Sequence, residues 1–515
     1  MTAHPLYFEL PEHMAAGKFL SKLSKKIDFQ IASEQYAIKT FYDSFDWRLY
    51  NADILCELNQ SKTASHISLI DRNNGECLAL ENQQDVPSFS NQFQEGRLKT
   101  KLDSLLEMRA LLPLCHLPHQ IYQINVLNKD KKTTVRIKLE EYEDLGSRIS
   151  LQPLKGYEKA VGRVSLLLEK SLELAPTQSS ILNSALKLQG RKAKDYSSKL
   201  AIKLDPELRS DKASKVIYHD LLKAIKINEA GTIADTDTEF LHDYRVAVRR
   251  TRAGLSQIKN VFPDPVVAKH AGFFAWLGQI TGATRDLDVY LLNYKQYKSA
   301  LPESLQDDIA PLYAFLKEKQ KQAQSELASQ LKSPIYIKQL LAWEQYLKEP
   351  LPKKGCSSAA NLTIKELADQ RIWKVYKRLI KEAEEITEYS PAESLHDLRK
   401  TCKKLRYLME FFQSLYPVDE IKALIKALKG FQSVLGDFQD YEVQENSLKK
   451  FSEEMMANKV ESNTFLAMGV LVQYLDTMRN AARHDFTKQY ALFKQEQNKI
   501  AFKTLFAPQA EVKKS

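Results

Sequence analysis

One segment of this chain occurs twice. HDYRVAVRRTRAGL begins at His242, and HDLRKTCKKLRYLM begins at His396, 154 residues later. At that offset Asp243 matches Asp397, Arg245 matches Arg399, Arg249 matches Lys403, Arg250 matches Lys404 and Arg252 matches Arg406. The register persists downstream: VFP (261–263) matches LYP (415–417), and GATRDLDV (282–289) matches GDFQDYEV (436–443). Three motifs in one register define a duplicated unit. Apolar residues recur at spacings of three and four through both copies, so the unit is helical and two similar bundles related by a pseudo-twofold axis are expected.

On a helix at about 100° per residue, His242, Arg245, Arg249 and Arg252 fall within an arc of roughly 80°. Leu241, Tyr244, Val248 and Leu255 fill the adjoining arc. The second copy repeats this with His396, Arg399, Lys403 and Arg406 beside Leu395, Leu398, Cys402 and Met409. Arg250 and Lys404 point elsewhere on the wheel. A solvated basic face lies opposite the apolar face and mixes signs, because like charges at i,i+4 repel. Here a stripe of one sign borders the apolar stripe, twice. Its compensating anions are either internal (Asp243, Asp286 and Asp288; Asp397, Asp437 and Asp440) or belong to a bound polyanion. The histidines read as hydrogen-bonded structural residues or as phosphate donors. Neither has a second His or Cys at ligand spacing, so no metal is expected.

The rest of the chain sets this unit in context. Gly (16) and Pro (18) are scarce for 515 residues, which favours long helices. Residues 1–150 follow a different period. HISLIDRNNGECLALE places two short runs around Asn74-Gly75, a hairpin signal. In TTVRIKLEEYE, Val135, Ile137 and Leu139 alternate with Arg136, Lys138 and Glu140, giving one apolar and one charged face. QEGRLKTKLDSLLEMRALLPL predicts a helix stopped near Pro113. This region reads as α+β, mostly antiparallel. Residues 190–206, GRKAKDYSSKLAIKLDP, are polar and basic and read as a linker. The net charge of +10 permits an anionic partner without requiring one. Five scattered cysteines without a CxxC pair suit a reduced cytoplasmic setting. No secretory leader and no membrane span are indicated.

The paired His–Arg/Lys motifs resemble the CHAD family, the "conserved histidine α-helical domain", whose signature is a His followed by Arg/Lys at these offsets, present twice. TRDLDV and LGDFQD resemble its second motif, and the likeness covers about residues 200–505. The resemblance implies two pseudo-symmetric helical bundles enclosing a basic groove that binds inorganic polyphosphate, with other polyanions as further ligands and no cofactor. It assigns binding to His242, Arg245, Arg249, Arg250, Arg252, His396, Arg399, Lys403, Lys404 and Arg406, with Lys212, Arg371, Lys374 and Arg378 as a second group. It also suggests association with polyphosphate granules.

The N-terminal region resembles a CYTH domain, the antiparallel barrel of triphosphate tunnel enzymes, through FYDSFDWRLYNADILCEL and ISLQPLKGY. The opening E-x-E-x-K of that family is replaced by Tyr7-Phe8-Glu9-Leu10-Pro11, which keeps only Glu9. Two carboxylates are needed to hold Mg²⁺ against phosphate, so the domain reads as degenerate and the chain as a binder rather than an enzyme. The expected layout is a degenerate CYTH-like domain at 1–190, a linker at 191–205 and a CHAD domain at 206–506, with halves at 206–350 and 360–506. The competing functions are a metal-dependent triphosphatase or polyphosphatase and a nucleic-acid or protein scaffold.

Overall fold

The computed structural model describes residues 6–11, 14–177, 179–457 and 460–508. Residues 1–5, 12 and 13, part of the stretch on which the leader reading rests, lie outside these. The chain divides into two compact units, with the boundary between Ser198 and Lys199.

The first unit is built on nine antiparallel strands: β1 (Leu6–Glu9), β2 (Phe29–Asp43), β3 (Ile54–Ser61), β4 (Ser65–Asp71), β5 (Cys77–Asn82), β6 (Leu112–Leu127), β7 (Thr133–Tyr142), β8 (Arg148–Pro153) and β9 (Ala175–Pro176). Their order is β5-β4-β3-β2-β6-β7-β8-β1-β9. The expected hairpin is β4–β5, and Gly75 at its turn takes φ 72°, a conformation that glycine adopts without a Cβ penalty. Helices α1 (Ala16–Ser24), α2 (Arg48–Asn51), α3 (Arg97–Leu106), α4 (Glu158–Ser171) and α5 (Ile181–Leu188) complete the unit. α3 is shorter than its sequence predicts. Leu98, Leu102 and Leu106 keep the helical period and are buried, but Glu107 then turns to φ 52° and Pro113 lies inside β6, opposite Tyr42. The aperiodic apolar run before Pro113 therefore feeds the strand.

Val135, Ile137 and Leu139 of β7 are buried in one core with Phe8, Phe19 and Ile149. The other face of β7 is not the solvated charged face its alternation suggests. Arg136 is exposed, Lys138 is half-buried and Glu140 is buried. Glu140 accepts from Lys39 Nζ at 2.9 Å and Lys138 Nζ at 2.7 Å, with His119 Nε2 at 3.6 Å.

The second unit is all helical: α6 (Ser210–Ala234), α7 (Thr238–Gln257), α8 (Asp264–Ile280), α9 (Gly282–Ala300), α10 (Ala310–Leu331), α11 (Pro334–Lys348), α12 (Ile364–Glu384), α13 (Ala392–Phe412), α14 (Val418–Met456), α15 (Ser462–Phe493) and α16 (Glu496–Phe506). The sequence offset is carried into the backbone. α6 and α12, α7 and α13, and α8 and α14 begin at residues 210 and 364, 238 and 392, and 264 and 418. Every pair is separated by the interval between the two histidines. Equivalent positions also meet. Arg209 and Thr363 form an antiparallel bridge; Ser210 N donates to Leu362 O at 2.9 Å, and Ile364 N donates to Leu208 O at 2.8 Å. These two bonds are images of each other, so the pseudo-twofold axis passes through that bridge.

Both copies contribute to both helical cores. One core combines Ile217, Tyr244, Phe274 and Trp343 with Leu398, Cys402, Leu428 and Phe502. The other combines Tyr290, Leu312 and Leu316 with Leu448, Met468 and Leu471. The copies differ at one break. α8 stops at Ile280 and α9 starts at Gly282, whereas α14 runs unbroken through the corresponding Val434, Leu435 and Gly436. Thr281 stands at the break, and its hydroxyl donates back to Leu277 O at 2.7 Å, a contact that bends helices. Leu435 has no hydroxyl to do this. Among the described residues no helix is long and apolar enough to cross a membrane.

Candidate anion-binding site

α7 is started by Asp237, whose carboxylate accepts from the backbone N–H of Glu239 and Phe240 at 3.0 and 3.1 Å. Leu241, Tyr244, Val248 and Leu255 bury the apolar stripe. This fixes the rotation of α7 and sets Arg245 and Arg249 half-buried at the core margin, with Arg252 exposed. α13 does the same with Leu395, Leu398, Cys402 and Met409, leaving Arg399, Lys403 and Arg406 half-buried. His242 and His396 are half-buried at the start of each stripe.

The stripes converge. Lys403 is pushed down to about 8, first by burial and then by Arg399, Arg249 and Arg406 around it, with Asp440 opposing. Arg249 belongs to the first copy and is the counterpart of Lys403. Arg245 is lowered to about 10, chiefly by burial and then by Arg249, with Asp286 opposing. The carboxylates show the same meeting. Burial raises Asp286, its counterpart Asp440 adds to the rise, and Arg245, Arg285 and Arg249 oppose it. Cations and carboxylates from both copies thus share one neighbourhood.

The individual partners differ between copies. Arg245 Nη1 donates to Thr281 Oγ1 at 2.8 Å and Gly278 O at 3.3 Å. Arg399 donates from Nη1 to Gln439 Oε1 at 2.6 Å and from Nη2 to Asp440 Oδ1 at 2.9 Å. The guanidinium of Arg252 lies over Gly278, where an added Cβ would sit 2.5 Å from Nη1. Arg406 Nε lies 3.5 Å from Glu410. Among the described residues, Arg249, Arg252 and Lys403 have no carboxylate at ion-pair distance.

The other predicted residues are placed differently. Arg250 is turned from the stripe and its Nη2 donates to Glu410 Oε2 at 3.0 Å. Its counterpart Lys404 is half-buried, and no ion pair engages it among the described residues. Lys212 and Lys374 are exposed; Arg378 pairs with Glu382 on its own helix; Arg371 donates to Lys259 O at 2.8 Å. No hydrogen bond or ion pair joins these four to the stripes among the described residues.

Sequence reasoning missed Arg285. It sits on α9, donates to Thr238 O at 3.2 Å and lies 3.9 Å from Glu239. Burial lowers its pKa, and Arg249 adds to that against Glu239 and Asp288. Its counterpart is Gln439, so a search for cations repeated in both copies passes over it.

Fold and site together define a duplicated helical domain whose two cationic stripes meet. Residues 216–449 match the CHAD domain family, so the helical unit contains a CHAD domain. Similar solved structures include the CHAD domain from the plant Ricinus communis, 24% identical, covering 61% of this chain and 98% of that one at a TM-score of 0.46. PptA from Streptomyces chartreusis is 16% identical and covers 55% and 99% at 0.43. The PH1819 protein from Pyrococcus horikoshii is 17% identical and covers 36% and 99% at 0.24. No curated protein matches the chain.

Proposed function

We propose that the helical unit binds inorganic polyphosphate along the meeting stripes and that this chain acts as a non-catalytic holder of the polymer. The observation that carries this is the crowding around Lys403. Its ammonium is half-buried among Arg399, Arg249 and Arg406, and no carboxylate among the described residues lies within ion-pair reach. Gathering cations in this way costs the free protein stability, and a bound polyanion removes the cost. Polyphosphate offers about one charge per phosphate and no bases to stack, which suits a row of arginine forks and a lysine point charge. Arg245, Arg249, Arg252, Arg285, Arg399 and Lys403 form the contact set, with His242, His396 and Arg406 at its margins. Arg250, Lys404 and the four second-group residues serve the helical scaffold or the outer surface.

The first unit supports the non-catalytic part of the reading. Glu9 is exposed on β1, flanked by buried Phe8 and Leu10, and the interior cation Lys39 is neutralised by Glu140 at 2.9 Å and Glu57 at 3.8 Å. On this reading the protein works in the cytoplasm, at polyphosphate deposits. Calorimetry with long-chain polyphosphate tests it. Saturable binding that is lost in the Arg245→Ala, Arg249→Ala, Arg399→Ala, Lys403→Ala variant is expected; no binding, or unchanged affinity in that variant, sinks the reading. Displacement by DNA at equal phosphate concentration would point to a general polyanion scaffold instead.

A further inference from the structure

Apart from the break after Ile280, the two copies start their helices in register, and they differ in charge. In the first, Arg245, Arg249 and Arg252 are without a carboxylate at ion-pair distance among the described residues. In the second, Arg399 is held by Asp440 and Arg406 lies against Glu410. The cause lies at the break between α8 and α9. Thr281 supplies a neutral hydroxyl that takes Arg245 Nη1 at 2.8 Å. The corresponding Leu435 has none, so Arg399 turns to the next turn of α14, where Gln439 and Asp440 stand. The side chain of Arg399 is 15% exposed and that of Asp440 is 58% exposed. The carboxylate therefore lies on the solvent side of the guanidinium it engages.

We infer that Asp440 is an internal competitor for the ligand: it occupies Arg399 as a phosphate group would, so that the first copy presents the open half of the site and the second copy is engaged only after Asp440 is displaced. This inference rests on the polyphosphate reading and adds the division of labour between the copies. Asp286, the counterpart of Asp440, does not play this part, because Arg245 is already held by Thr281 and Gly278 and no ion pair joins Arg245 to Asp286.

The test compares affinities for long-chain polyphosphate at low ionic strength in the full-length protein. Asp440→Asn removes the charge at an exposed position and keeps the side-chain shape. It is expected to tighten binding about fivefold, the scale of one partly exposed ion pair. In an Arg399→Gln background the same Asp440→Asn change is expected to alter affinity less than twofold, because the competition acts through Arg399. Asp440→Asn without tightening overturns the inference, and so does equal tightening in both backgrounds, which would mark Asp440 as a general repulsive charge. If wild-type protein and both variants all fail to bind, the polyphosphate reading itself falls. If wild-type binds and the variants do not differ from it, only this inference falls.

Discussion

Arg250 and Glu410 join the two signature helices: Arg250 Nη2 on α7 donates to Glu410 Oε2 on α13 at 3.0 Å, with both side chains largely buried. The same carboxylate lies 3.5 Å from Arg406 Nε. Removing it leaves two guanidinium groups without this carboxylate at the junction of the copies. Glu410→Ala is expected to destabilise the helical unit by about 3 kcal/mol, measured by urea denaturation. Arg250→Ala is expected to act on stability far more than on polyphosphate affinity.

Lys403 is expected to make the proposed polyphosphate binding pH-dependent. Its folded pKa of about 8 lies below the usual lysine value of about 10.4, so the free folded protein sheds this proton before the unfolded chain does. From this group alone, ligand-free stability rises between about pH 8 and 10. A polyanion favours the protonated ammonium, so affinity falls across the same window, with Arg399, Arg249, Arg406 and Asp440 as the facing charges. Calorimetric titrations from pH 7 to pH 9 check this. The decline is expected to vanish in Lys403→Arg, which stays charged throughout.

Salt reports the number of phosphate contacts. The logarithm of the binding constant is expected to fall linearly with the logarithm of salt concentration, by the counterion release known for nucleic acids. On the proposed function, Arg249, with no carboxylate partner among the described residues, is expected to contribute one full contact. Arg249→Ala is expected to reduce the slope by about one unit. An unchanged slope would place Arg249 outside the contact set.

Gly278 allows Arg252 to lie across α8. A Cβ there would come within 2.5 Å of Arg252 Nη1, the far end of a flexible side chain. Gly278→Ala is therefore expected to swing Arg252 aside at little cost in stability while weakening polyphosphate binding severalfold. Thermal melting and calorimetry on the same sample separate the two effects.

In the first unit, Glu140 is held well below the ordinary glutamate range: Lys39 and Lys138 outweigh the effect of burial. Lys39→Met leaves this carboxylate buried with less compensation and is expected to cost about 3 kcal/mol. The stability that Glu140 contributes is present above the unfolded glutamate pKa and fades as pH falls below about 4. Denaturation of Lys39→Met and wild type at pH 7 and pH 4 checks both the size and the direction.

The duplicated helical unit is legible in the sequence because one offset aligns three motifs and the apolar positions around them. The rotation of α7 and α13 is legible for the same reason. The inequality of the copies is not, since Thr281 against Leu435 looks like an ordinary difference until the hydroxyl is seen holding Arg245. The partner of Arg250 is also hidden, because Glu410 stands opposite Ser256 in the repeat and belongs to no shared motif. In the first unit, alternation identifies β7 but not the fate of its charged face. Glu140 meets Lys39 from 101 residues away, and no local pattern carries that pairing. The end of α3 was beyond reach for a similar reason: the apolar residues that follow it suit helix and strand equally, and pairing with β2 decides.

The hydrogen bonds that Ser210 and Ile364 exchange with the opposite copy bear on how this domain tolerates change. Each copy completes its lead-in only with the other, and each core draws residues from both. A chain cut near Lys353 would yield two fragments, each with half its interior facing water. The copies are thus inseparable partners rather than beads on a string. A substitution in the interior of one must be absorbed by the other, while the solvent-facing differences, such as Asp264 against Val418, remain free to diverge.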